Sequence, residues 1–264
     1  MGLVKDPWEL ALMRESGRRL ADVATALREA VRPGVTTSEL DQIAEREIRQ
    51  LGGVPSFKGY TAGGDVPFPA TICASVNEEV VHGIPGGRTL VDGDIVSVDM
   101  GLIYGGYHAD HAFTAAVGEV SERVRELLDE TERSLYEGVL RATVGHRIGD
   151  IGHAIQKHVE PKGFGVVREY VGHGIGRRLH EAPSVPNFGR PGKGNLLKPG
   201  MCLAIEPMIT MGSFKTKLLN DAWTVVTQDG SLAAHFEHTI VITERGPEVL
   251  TAPEGAMRAW PAGA

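Results

Sequence analysis

Two cysteines, Cys73 and Cys202, are all the chain contains. They cannot build a disulfide framework and neither belongs to a CxxC pair, so buried thiols in a reducing compartment are expected. Long apolar runs are missing too, and no stretch approaches the length a membrane span needs. The opening "MGLVKDPWELALMRESGRR" is charged throughout and has no apolar signal-peptide core, which makes the cytoplasm the expected location. Basic clusters are absent. Lys+Arg 27 against Asp+Glu 34 leaves −7, with nothing to grip a phosphate backbone or an anionic lipid surface. Neither nucleic acid nor a membrane is therefore expected as a partner. What remains is ordinary globular composition, 42% hydrophobic, which argues against disorder and suffices for one large core.

The chain nearly repeats itself. An amphipathic helix is expected from Pro7 to Val31, with Leu10, Met13, Leu20, Val23 and Leu27 on or near one face. A second follows in "RPGVTTSELDQIAEREIRQLGG", capped by Thr37 or Ser38, striped by Leu40, Ile43, Ala44 and Ile48, and ended by Gly52. Shifted by 111 residues, the same helix recurs in "TVGHRIGDIGHAIQKHVEPKGF": Gly34 falls on Gly145, Leu40 on Ile151, Ala44 on Ile155, Ile48 on Val159 and Gly52 on Gly163. A shift of 107 sets "LVDGDIVSVDM" on "LKPGMCLAIEP", a glycine-ended turn and then a strand ending in a carboxylate, and so pairs Asp99 with Glu206. "YHADHAFTAAVG" resembles "AHFEHTIVIT", which pairs Asp110 with Glu237, and "HGIP" at His82 shares H-x-x-P with "HEAP" at His180. Four matches in the same order indicate a duplicated α/β unit rather than a short-period solenoid. No linker separates the halves, roughly 31–118 and 141–245, so residues 1–264 are expected to form one pseudo-symmetric domain. Alternating strands and the hairpin signal "YGGY" imply antiparallel pairing. The expected architecture is a curved, mostly antiparallel sheet backed by two pairs of helices.

Each repeated carboxylate lies in a segment that otherwise reads as a buried strand. Alternation puts Ile95, Ser97 and Gly101 on the face of Asp99, and Cys202, Ala204 and Met208 on the face of Glu206, small neighbours that leave a hollow. One such acid is most often a salt-bridge partner. Four acids in matched positions of a duplicated sheet converge, and converging anions need cations. Four carboxylates balance two divalent ions, and a neutral imidazole adds a fifth ligand. His173 is the candidate, since the first half has no histidine there and its glycine neighbours allow close approach. Oxygen-rich ligation with one nitrogen suits Mn, Fe(II), Co or Zn, and affinity order does not choose among them.

Together "YVGHGIGRRLHE", "VSVDMG", "GYHAD", "AIEPM" and "FEHTIVIT" resemble the type I methionine aminopeptidases, whose fold is called pita-bread. The resemblance runs over essentially the whole chain, in order. It implies that Asp99 chelates one of two divalent metals (Co, Mn, Fe(II) or Zn), that His173 and Glu206 hold the other, and that Asp110 and Glu237 bridge them. The bridging water or hydroxide is the implied nucleophile on the scissile carbonyl, and Glu206 is implied to relay protons. It assigns His180 to the oxyanion and His82 to the leaving-group side of the substrate. Tyr60, Phe68, Cys73, Leu179 and Trp223 are the implied methionine pocket. The implied substrate is the initiator methionine of nascent polypeptides with a small second residue, processed by a monomer with a transient ribosome contact.

Three departures from relatives stand out. His111 directly follows Asp110, where many relatives carry Thr or Ser; alternation turns it, like His238, to the opposite face, so it is not expected to ligate metal. The loop "YTAGGDVPFP" is longer than in some relatives, and Ala222 stands where Gly is common. Two other readings compete. A Xaa-Pro peptidase of the same fold usually carries a further N-terminal domain, and only some thirty residues precede the first repeated helix here. A non-catalytic pita-bread binding protein should have lost ligands and gained basic segments, and neither is seen.

Overall fold

The computed structural model describes residues 3–61 and 64–252. Helices α1 (Pro7–Ala30) and α2 (Thr37–Gln50) open the chain, followed by β1 (Val54–Pro55), β2 (Ile72–Val76), β3 (Glu79–Val81), β4 (Ile95–Tyr104) and β5 (Tyr107–Ala116). The second half opens on α3 (Glu122–Arg141) and α4 (Ile148–Val159), then β6 (Gly165–Val166), β7 (Gly172–Gly174), β8 (Glu181–Val185) and β9 (Cys202–Ile205). It closes with β10 (Met208–Thr210), β11 (Thr216–Leu218), β12 (Val225–Thr227), β13 (Ala233–His235), β14 (Glu237–Thr243) and β15 (Gly246–Val249). The result is the pita-bread fold, a curled antiparallel half-barrel with four helices. α1 packs on α2, α3 packs on α4, and α1 also lies against β4 and β5.

Four details differ from the sequence expectation. The strands form a nine-stranded sheet, order β1-β4-β5-β14-β9-β7-β8 with β2 on β4 and β15 on β14, plus two three-stranded sheets, β13-β10-β6 and β11-β12-β3. Strong curvature breaks the surface where Pro207 and the short strands around it cannot continue the ladder. The cap of α2 is Thr36, not Thr37 or Ser38: its hydroxyl accepts from Glu39 N–H at 3.2 Å, and the Glu39 carboxylate accepts from Thr36 N–H at 2.7 Å. Thr37 is buried instead and exchanges two hydrogen bonds with Gly86, tying α2 to the His82 loop. Third, β4 does not end at Asp99 but continues to Tyr104. The first helix stops one residue short of Val31, which serves as its C-cap.

The duplication is visible in the backbone itself. Gly34 and Gly145 have φ of 91° and 92°, Gly52 and Gly163 have 72° and 80°, and Gly93 and Gly200 have 93° and 83°. The isolated bridges Thr36↔Thr89 and Arg147↔Leu196 are likewise equivalent. Leu40, Ala44 and Ile48 in one half and Ile151, Ile155 and Val159 in the other are fully buried in one shared core, with Ile43 at its edge. "YGGY" is the two-residue hairpin it resembles: Tyr104 faces Tyr107, with Gly105 and Gly106 at φ 58° and 81°.

Candidate active site

Facing residues in antiparallel strands share a face of the sheet. Cys73 faces Asp99, Asp99 faces Ala112, and Ala112 faces Glu237, one row across four strands. In the next row Gly101 faces Asp110, while Ala204 lies between Thr239 and His173. Asp110 and Thr239 join across this row: Asp110 N–H donates to Thr239 Oγ1 at 2.9 Å, and that hydroxyl donates to the Asp110 carbonyl at 2.8 Å. Asp99, Asp110, His173 and Glu237 thus each have Cys, Ala or Gly beside them. Of the same-strand neighbours Gly101 and Ala204 help make the hollow, whereas Ile95 lies in the main core and the Ser97 and Thr114 hydroxyls bond at 2.8 Å. Glu206 sits just past β9, before Pro207, with its main-chain oxygen held by Asn187 Nδ2 at 3.0 Å.

One ligand atom each from Asp110, His173 and Glu237 lie within 4.8 Å of one another. Glu206 adjoins this group, its Oε1 3.5 Å from His173 Nε2; Asp99 reaches it through the first row. His173 is fixed for ligation. Its Nδ1 is 2.9 Å from the Gly174 carbonyl, an acceptor, which places the proton on Nδ1 and leaves the Nε2 lone pair facing the acids. Gly172 and Gly174 permit this, because a Cβ on either would collide with the carbonyls of Ala204 and Ala182.

The donor set fits divalent cations. Asp99 Oδ1, Asp110 Oδ1 and Glu237 Oε1 are buried with no hydrogen-bond partner, and such atoms are strongly disfavoured unless something else pairs with them. Burial pushes Asp99 up to about 7, and burial together with the neighbouring carboxylates pushes Asp110, Glu206 and Glu237 well up. Burial lowers His173 to about 3, keeping its imidazole neutral. A cluster that resists its own charge in the absence of cations, with a neutral nitrogen beside it, has the electrostatics of a metal centre.

Above the acids opens a cavity of about 230 Å³. Tyr60, Phe68, Cys73, Leu179 and Trp223 all line it, with Phe68 edge-on to Trp223 at 5.1 Å. His180 lies over His173 at 4.2 Å between ring centroids, and its Nδ1 is 2.5 Å from Tyr60 OH. A tyrosine hydroxyl donating to Nδ1 leaves the proton of the neutral imidazole on His180 Nε2. The buried ion pair of Lys5 and Glu181, 2.7 Å, anchors the residue next to His180. His82 has φ +61°, a strained left-handed conformation for a residue with a Cβ, and its ring packs edge-on to Tyr170 and Trp223. Burial lowers His82 to about 4 and also lowers His180.

His111 points to the other face, as alternation requires. Its Nδ1 is 2.5 Å from the Glu237 carbonyl, and its ring stacks on His238 at 4.7 Å. Ala222 has φ +66°, which is why glycine suits that position. Residues 62 and 63 of the 61–69 loop lie outside the described residues, and Phe68 is the loop's contribution to the cavity. His235, which also lines the cavity, is not among the residues the motifs single out. The signal for it is the alternation in "AHFEHTIVIT", which sets His235 and Glu237 on one face.

Residues 11–244 match the model of metallopeptidase family M24. A methionine aminopeptidase 1 of Bacillus subtilis is 55% identical over 95% of this chain and 99% of its own. The crystal structure of a methionine aminopeptidase from Thermotoga maritima superposes with a TM-score of 0.91 at 45% identity, covering 95% of this chain and 99% of that one. A Xaa-Pro dipeptidase from Bacillus anthracis shares the fold at a TM-score of 0.76 and 25% identity, but this chain spans 62% of that protein. Likeness rises steeply toward the methionine enzymes, and the chain belongs to metallopeptidase family M24, among its type I methionine aminopeptidases.

Proposed function

We infer that the protein is a metal-dependent aminopeptidase that removes N-terminal methionine from polypeptides whose second residue is small. The observation that carries this reading is the meeting of orphaned carboxylate oxygens on Asp99, Asp110 and Glu237 with the free Nε2 of His173 beneath an apolar-walled cavity. Asp99, Asp110, His173, Glu206 and Glu237 would hold two ions, of Co, Mn, Fe(II) or Zn. When bound, such ions supply Lewis acidity and lower the pKa of water.

The chain's own groups do the rest. The walls formed by Tyr60, Phe68, Cys73, Leu179 and Trp223 take the thioether side chain and exclude water. His180 Nε2–H, oriented by Tyr60, donates to the scissile carbonyl oxygen as negative charge develops there. Glu206 takes a proton from the attacking water and delivers it to the departing amine nitrogen. His82, fixed against Tyr170 and Trp223, contacts the backbone of the second residue and limits its size. Both halves wall the cavity, which supports treating residues 1–264 as one catalytic domain. A cytoplasmic monomer with a transient ribosome contact completes the reading, since initiator methionines first become available on emerging chains.

The test uses chelated protein, Met-Gly-Met-Met and Pro-Gly-Met-Met, with Mn, Fe(II), Co or Zn restored in turn. Metal-dependent release of methionine from the first peptide, with the second untouched, is expected. Folded, metal-loaded protein that cleaves neither peptide would overturn the reading.

A further inference from the structure

His235 is 1% exposed, and neither of its ring nitrogens has a hydrogen-bond partner. Its backbone, by contrast, is gripped at both polar atoms. The N–H donates to Thr114 Oγ1 at 2.8 Å, and the carbonyl accepts from the same hydroxyl at 2.9 Å. Register opposite Met208 turns the ring into the cavity. A buried imidazole held this firmly while making no hydrogen bond calls for a partner supplied at the site. A carboxylate, that of Glu206, stands close by. Its Oε2 is 3.7 Å from His235 Nε2, while its Oε1 is 3.5 Å from His173 Nε2. One carboxylate therefore has an imidazole at each oxygen, one belonging to the metal cluster and one outside the expected ligand set.

We propose that His235 is a positioning residue for the metal centre: its Nε2–H donates to Glu206 Oε2 and so fixes Oε1 as the ligating oxygen. This rests on the reading of Glu206 as a metal ligand. The 3.7 Å separation closes to an ordinary N–H···O length of about 3.0 Å through a small rotation of the carboxylate. The bond serves the centre in two ways. It prevents the carboxylate from turning both oxygens to the ions, and it leaves one defined oxygen from which a proton can be passed on. It also satisfies a buried donor that nothing else among the described residues reaches. Outer partners of this kind typically tune metal affinity by roughly 10–100-fold.

The experiment is Co(II) titration of the chelated full-length protein, read by calorimetry and by the visible absorption of the bound ion. It compares wild type with His235→Ala, His235→Gln and Glu206→Gln, each checked for cooperative unfolding. His235→Ala is expected to weaken Co(II) binding by about 10-fold or more and to alter the visible band. It should lower kcat on Met-Gly-Met-Met more than it raises KM. His235→Gln, which keeps a side-chain N–H, should recover most of the affinity and spectrum, and it carries the test if the alanine variant does not fold. Unchanged Co(II) affinity and spectrum in a folded His235→Ala protein would overturn the proposal. A rise confined to KM would overturn it as well and make His235 a peptide contact. Wild-type Co(II) binding by Glu206→Gln would sink the ligand reading itself, so the two failures are distinguishable.

Discussion

Strands β5 and β14 carry two adjacent pairs, Asp110-His111 and Glu237-His238, whose members point to opposite faces of one sheet. On the face toward the cavity, Asp110 Oδ1 and Glu237 Oε1 are buried without partners. On the face toward the helices, both imidazoles are provided for: His111 meets the Glu237 carbonyl, and His238 meets Thr251 Oγ1 at 2.9 Å and Tyr136 OH at 3.1 Å. Both faces are equally hidden from water, Asp110 at 4% and His238 at 7% exposure. Burial and polarity are therefore shared, and hydrogen-bond satisfaction is what differs. A buried group with its bonds made contributes to the fold; a buried group denied them is waiting for something the protein does not itself contain.

The sharpest way to break that contrast is to remove one orphaned acid. Asp110→Asn should lose divalent metal and methionine release together, beyond the roughly 10–100-fold expected for an outer-shell partner. Calorimetric Mn titration alongside peptide hydrolysis checks this, and retained affinity would contradict the assignment. Next in size is His180→Ala. Removing one oxyanion donor should cost roughly 10²–10³ in kcat while metal affinity stays at its wild-type value, as single-turnover hydrolysis and the same titration will show.

The helix face should answer in stability instead. Burial, with Arg28 nearby, lowers His238 to about 3, so the folded protein refuses a proton that the unfolded chain takes up below pH 6.5. The unfolded state then binds more protons, and the stability owed to a neutral His238 falls as pH drops from 6.5 toward 3. His238→Gln has no such titration. The acids on the other face titrate in both proteins and largely cancel in the difference. Urea unfolding of chelated wild type and variant should therefore show the wild-type advantage shrinking by about 2 kcal/mol between pH 7 and pH 5. A difference independent of pH would show that His238 is not held neutral.

Much of this was legible because it depends on local rules. The Leu40-Ala44-Ile48 stripe and its copy at Ile151-Ile155-Val159 follow from helical period, and the Tyr104–Tyr107 hairpin from two glycines. The separation of Asp110 from His111 needs only the period of a strand. Thr36 competes with two further hydroxyl-bearing residues at 37 and 38, and its local signal is Glu39 three residues on, which completes a capping box, while Thr37 turns to Gly86. The continuation of β4 through Asp99 to Tyr104 was hidden: the duplicated pattern likens Asp99 to Glu206, but only Glu206 is followed by a proline that breaks the ladder.

By itself, the sequence determined the repeated helices, the antiparallel strands and which face each acid occupies, since all of these follow from periodicities within about ten residues. Only the tertiary structure decided that Cys73 and Ala112 leave room beside the acids across the strands, that His173 is pinned by Gly174, and that His235 stands by Glu206 with no hydrogen-bond partner. Those facts rest on cross-strand register and on which buried atoms go unsatisfied. Both are set by segments distant in the chain, and no local pattern carries them.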